Sequence, residues 1–247
     1  MLTGREMLIA LATKYSGDYD CMLADITSRK LEGLEDLERD NRCITILDSD
    51  YPKSLKNTVR PPLVLFYKGD ITLLNAKDKI AVVGTREPSG EAEMFTDTFI
   101  SKCVASDRVI VTGLSMGIGA TATLSALESG KKVIAVLGSG IDFCWPVCNK
   151  DLYERIIAEG GLVISEYPFS TEPLMTHFPA RNRIIAALAD SVCSMELKQR
   201  SGALITINYA LSQGKTVYAK PNLFEINDVN NHLIDEGANC LTLSTTI

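Results

Sequence analysis

The sequence predicts an α/β protein: an extended, Rossmann-like, doubly wound and mostly parallel sheet, preceded by a short helical N-terminal leader. Two observations predict it. From Lys79 onward, short apolar runs alternate with amphipathic stretches of helical length. The runs are unbroken, as in IAVV at 80–83 and VIAVL at 133–137, which strands buried on both faces require. Right-handed crossovers then wind the helices onto both faces. A chain of 247 residues with 46% hydrophobic and 23% charged residues has an ordinary globular composition.

In chain order, residues 1–44 read as an acidic leader and 45–247 as the Rossmann-like domain. In the leader Leu2, Leu8, Ile9 and Leu11 recur on a helical period, and Leu31, Leu34 and Leu37 follow at spacings of three. CITIL at 43–47 predicts a strand. Tyr51-Pro52 and Arg60-Pro61-Pro62 bracket an extended connector, because a residue before proline avoids the α region. Leu63 to Tyr67 is a further apolar run closed by Gly69-Asp70. Strands are then expected at 80–83, 109–111, 133–137, 162–164, 192–197 and 216–219. Helices are expected near 90–105, 118–129, 149–159, 180–189, 202–213 and 229–236.

Several classes are excluded. No apolar stretch approaches the ~20 residues of a membrane span, and the N-terminus has no small-residue cleavage pattern. Seven cysteines, an odd number without a repeated CxxC, point to reduced thiols in the cytoplasm. Cys144 and Cys148 find no second pair or histidine to complete a metal set. The only histidines are His177 and His232, so no Ser/His/Asp or Cys/His set can be assembled and no enzyme chemistry is expected. Glu166 and Asp142 fall at strand ends, where capping or ion pairing is the ordinary use of a carboxylate.

The net charge of −6 is unevenly spread: residues 1–50 hold six basic and eleven acidic side chains. Residues 180–220 hold six basic ones (Arg181, Arg183, Lys198, Arg200, Lys215, Lys220) against Asp190 and Glu196. That segment predicts a local basic face.

In an open parallel sheet, ligands bind beyond the carboxyl ends of the strands. There the chain places Gly84-Thr85-Arg86 with Ser89, the run Gly113 to Gly119 (GLSMGIG), Gly138-Ser139-Gly140, and Ser201-Gly202. Glycines before a helix let backbone N–H groups approach a phosphate. The spacing fits neither G-x-G-x-x-G nor the P-loop, so no nicotinamide or nucleoside-triphosphate cofactor is expected. Four anion-competent loops along one edge suit a ligand longer than one nucleotide; a single nucleotide-type ligand is the alternative. In His177-Phe178-Pro179-Ala180-Arg181-Asn182-Arg183, proline marks a helix start and two arginines follow in the first turn. Cations there oppose the helix dipole, so an anion is expected between them; pairing of Arg183 with Glu166 or Glu196 is the internal alternative.

The ordered motifs resemble one family. VVGTREPSG, VTGLSMGIG, LGSGIDFCWP with Asn149 and Leu152, ISEYP, FPARNRIIAALAD, SGALITINYALSQGK and NHLIDEGA stand in the order seen in DprA/Smf DNA-processing proteins. YPKSL and PPLVLFYKGD precede them, so the resemblance covers roughly 45–243. It implies a single-stranded-DNA-binding protein that helps load a RecA-type recombinase during transformation and works as a homodimer. It implies phosphate contacts at Arg86, Arg181, Arg183 and Lys150, with Ser89, Gly113, Gly117, Ser139 and Ser201 supplying backbone or hydroxyl donors. The chain departs from the family where Gly119-Ala120-Thr121-Ala122-Thr123 lacks the usual Asp and His, and where Trp145-Pro146 replaces Tyr-Pro. Pro221-Asn222 replaces Pro-Gly. The resemblance further leads one to expect a leader shorter than the family's usual N-terminal domain, and no winged-helix domain.

Overall fold

The computed structural model describes residues 2–35, 37, 42–169, 171–225 and 228–245. Its nine strands form one sheet in the order β1-β2-β6-β5-β4-β3-β7-β8-β9. From β3 (Lys79–Val83) the chain steps through β4 (Val109–Thr112), β5 (Val133–Val136) and β6 (Leu162–Ser165) in one direction. It then returns to the other side of β3 for β7 (Ser191–Ser194), β8 (Thr216–Ala219) and β9 (Asn239–Cys240). These seven are parallel. β2 (Val64–Gly69) adds antiparallel to β6, and β1 (Cys43–Thr45) antiparallel to β2.

The pleat sends alternate residues to opposite faces. Ile80 and Val82 enter one core, Ala81 and Val83 the other. α1 (Gly4–Lys14), α2 (Tyr19–Ser28), α4 (Gly90–Thr98), α5 (Ile118–Glu128) and α6 (Lys150–Ala158) cover the first face. α3 (Lys53–Lys56), α7 (His177–Leu188), α8 (Gly202–Ser212) and α9 (Val229–Asp235) cover the second. The doubly wound α/β sheet predicted from the apolar runs is present.

Several local expectations change. The helix over 90–105 is α-helical to Thr98 and continues as a π turn over Phe99–Cys103, closed by Val104 N–H on the Phe99 carbonyl. The helix placed at 180–189 starts at His177, since a proline is tolerated anywhere in a first turn, where its missing N–H has no partner to lose. The strand expected over 192–197 covers Ser191–Ser194; Met195 to Leu197 already belong to the outgoing loop. β9 is two exposed residues with no apolar run to announce it. Leu34 is fully buried but sits among turns rather than in a helix.

The leader is not an appendage. Thr3 closes a capping box with Glu6 at the start of α1, and Leu8, Ile9 and Leu11 join Phe66 and Val133 in the first core. β1 straddles the 44/45 position where the two segments were divided.

Candidate functional site

The strand order reverses at β3 and β7, so the loops leaving these strands diverge and open a crevice at the carboxyl edge. A cleft of about 550 Å³ lies there. Thr85 and Arg86 line it from the β3 loop, Gly113 and Ser115 from the β4 loop, Phe178 and Arg181 from α7, and Lys198 and Ser201 from the segment entering α8.

Arg181 is the unusual group. Only 5% of it is exposed. Its Nη1 donates to the Val136 carbonyl at 2.7 Å, its Nε has no partner, and no described carboxylate pairs with it. Burial, and then the neighbouring Arg86 charge, push its guanidinium down to about 10. Arg86 itself is exposed and has no described carboxylate partner; its Cζ lies 6.0 Å from the Phe178 ring centroid, and that of Arg181 lies 5.5 Å from the same ring. Two guanidiniums around one aromatic ring, without a counter-anion among the described residues, make a site that an anion stabilises. Lys198 adds a charge at the rim, held loosely by Glu87 at 3.1 Å where both are exposed.

The start of α8 complements these charges. Ser201 stands in extended conformation at the N-cap, yet its side chain makes no cap bond and its buried hydroxyl has no partner among the described residues. An N-cap serine ordinarily satisfies a first-turn N–H. Here the positive end of an eleven-residue helix and an unused hydroxyl border the same cleft.

Two of the glycines are also required by the packing around the cleft. A Cβ on Gly113 would stand 2.6 Å from Arg181 Nη2, so Gly113 is the space in which that guanidinium lies. Gly117 has φ +66° and lies against the Thr85 and Arg86 carbonyls; the Ile118 N–H donates to the Thr85 carbonyl at 3.1 Å. The N-terminus of α5 is thus partly closed by the β3 loop.

The remaining assigned residues divide. Arg183 is buried and bidentate to Glu166, and also donates to the Arg60 and Ala180 carbonyls. Burial works against its charge, but the Glu166 carboxylate outweighs it and raises the guanidinium above its usual range. The internal pairing is what the fold uses, and both arginines lie beyond the first turn of α7. Ser89 caps α4 and donates its hydroxyl to Glu196 at 2.7 Å. Ser139 is buried and donates to the Phe143 carbonyl at 2.8 Å. Lys150 opens α6 on the opposite face, exposed, 3.7 Å from Glu154 and outside the cleft. Of the cleft residues expected from the sequence, the fold therefore brings together Arg86, Gly113, Arg181 and Ser201.

The basic segment 180–220 is not one solvated face. Arg181, Arg183 and Lys220 are buried, and Lys220 pairs with Glu91 at 2.8 Å. Asp142 pairs with Lys68 at 2.7 Å, so it and Glu166 are each committed separately. Phe178, Lys198 and Asn182 were not assigned from the sequence; Phe178 could have been, as an aromatic three residues before the first of two arginines. Among the described residues no group of three or more His, Cys, Asp or Glu is placed to hold a metal ion, and no helix is long and apolar enough to cross a membrane.

A protein-family model described as DNA recombination-mediator protein A matches residues 42–247. The chain belongs to this family. It is 43% identical over 200 residues to DNA processing protein DprA of Streptococcus pneumoniae, covering 80% of this chain and 70% of that one. It is 39% identical over 209 residues to protein Smf of Synechocystis, and 37% identical over 183 residues to DprA of Bacillus subtilis. The chain spans 52% and 61% of those two relatives. The X-ray structure of the S. pneumoniae DprA superposes with a TM-score of 0.80 at 37% identity, over 98% of this chain and 90% of that one. A Helicobacter pylori DprA structure, described for its single-stranded DNA binding mode, superposes with a TM-score of 0.73 at 28% identity, over 82% and 92%. The family resemblance read from the ordered motifs is thus established.

Proposed function

We propose that this protein binds single-stranded DNA at the switch-point cleft and helps place a RecA-type recombinase on it during transformation or recombination. The observation that carries the binding half is the pair Arg86 and Arg181: two guanidiniums around Phe178, one of them buried, with no described carboxylate between them. The α8 N-terminus and the unused Ser201 hydroxyl add donors for phosphate oxygens. Backbone-directed cations with an aromatic face are the usual equipment for holding single strands without sequence preference. The H. pylori relative, described by its single-stranded DNA binding mode, supports the same ligand. The recombinase half rests on the family description, and self-association as a homodimer belongs to the same reading.

Anisotropy of a labelled oligonucleotide tests the first half. Arg86→Ala is expected to weaken binding, whereas wild-type affinity in Arg86→Ala would remove the cleft from the account. Strand exchange by a RecA-type recombinase on DNA coated with a single-strand-binding protein tests the second; no stimulation would limit the function to DNA binding. Light scattering reads the dimer. The cleft volume of about 550 Å³ also suits one nucleotide, so a single nucleotide-type ligand is the second reading. Thermal stabilisation by one mononucleotide, with none from oligonucleotides, would favour it.

A further inference from the structure

Beyond the cleft, the same sheet edge carries a half-exposed aromatic side chain. Trp145 is the only tryptophan of the chain and is 48% exposed. It sits in the loop leaving β5. That loop is tied to the wall of the cation cleft: Asn149, itself buried, takes the Pro146 carbonyl with its N–H at 3.0 Å and the Leu114 carbonyl with its Nδ2 at 3.0 Å. Leu114 adjoins Gly113, which houses Arg181. Met116 and Val147, on the two joined loops, are exposed as well.

The loop is held by several hydrogen bonds and an ion pair. Ser139 holds the Phe143 carbonyl, Tyr153 holds the Ile141 carbonyl at 2.7 Å, Gly140 N–H holds the Thr171 carbonyl at 2.8 Å, and Lys68 pairs with Asp142. A pinned loop presenting an indole to solvent loses little further freedom when a flat ring settles on it. The exposed Lys150 ammonium follows shortly after Trp145, bound only weakly to Glu154.

We infer that Trp145 is a nucleobase-stacking residue for the strand whose phosphates occupy the Arg86–Arg181 cleft. The inference rests on the proposed single-stranded DNA binding and gives it a direction: the strand leaves the cleft across the β4 and β5 loops. Positive charge in the cleft holds the backbone, and the indole takes a base beyond it. Stacking on an aromatic side chain accepts any base, so the contact adds affinity without sequence preference.

The test uses Trp145 as its own reporter. Its emission is followed while an oligothymidine, and separately an oligomer of the same length with abasic sugars throughout, is titrated in; an end label on each reports binding independently. The expected result is quenching by oligothymidine and binding without quenching by the abasic strand. Trp145→Ala is expected to lower oligothymidine affinity about tenfold with an unchanged salt slope, and Trp145→Phe to retain most of it. Label-detected binding with unchanged emission and a wild-type affinity in Trp145→Ala would overturn the stacking role alone. No label-detected binding at low salt would overturn the DNA-binding reading and the inference together.

Discussion

Arg181 and Arg183 stand two residues apart, yet their surroundings give them opposite work. Arg183 faces a buried carboxylate; removing one partner of such a pair leaves the other charge desolvated and alone, at a cost of about 3–5 kcal/mol. Chemical denaturation should therefore show Arg183→Ala severely destabilised. Arg86→Ala, an exposed change, should stay within about 0.5 kcal/mol of the parent while DNA affinity falls. A large stability loss in Arg86→Ala would reverse this division. Gly113→Ala tests the seat of Arg181: the added methyl meets Nη2 at 2.6 Å, so DNA affinity should drop although no ligand-contacting side chain has been removed. His177 offers a pH signature. Its ring stacks on Tyr167 at 3.8 Å between centroids, and burial pushes its pKa below the usual 6.5. Below about pH 6.5 the unfolded chain takes up a proton that the folded ring resists, so stability falls as pH falls through that range. His177→Phe should flatten this part of the stability–pH curve, and an unchanged curve would mean that the titration lies elsewhere.

At the scale of elements, two helix starts look alike in sequence and differ in use. Ser89 and Ser201 are both N-cap serines followed by glycine. Ser89 bonds the Ala92 N–H and Glu196, so Ser89→Ala should cost about 1 kcal/mol of stability. The Ser201 hydroxyl bonds none of the described residues, so Ser201→Ala should cost less than about 0.5 kcal/mol and instead weaken DNA binding. Thermal unfolding and anisotropy of the two variants, side by side, decide it. Such distinctions mark how far the sequence could be read. Unbroken runs such as IAVV showed the strands because burial on both faces leaves no polar alternation, and the strand ends located the loops. What the runs could not show is which partner each loop side chain meets. Arg183 finds Glu166 across seventeen residues, and Ser139 turns back onto its own loop. The α7 start was misplaced because proline reports only that a first turn is near.

For the whole molecule, the placement of the cleft follows from topology. The chain winds outward from β3, returns past it to β7, and leaves a gap between the two departing loops that the arginines line. The described helices of the leader, α1 and α2, complete one core layer. Leu11→Ala, in a helix far from the cleft in sequence, should cost about 2–5 kcal/mol of global stability. The proposed binding puts phosphates of a single strand where the strand order reverses. Its most direct measurement is the affinity for a labelled single-stranded oligonucleotide across a salt series, with duplex DNA as competitor, for the parent and Arg86→Ala. The expected result is tight parental binding that weakens with salt and resists duplex, with the Arg86→Ala slope shallower by about 0.7 for the lost phosphate contact. Absent binding at low salt, or the same affinity and slope in both proteins, would contradict it.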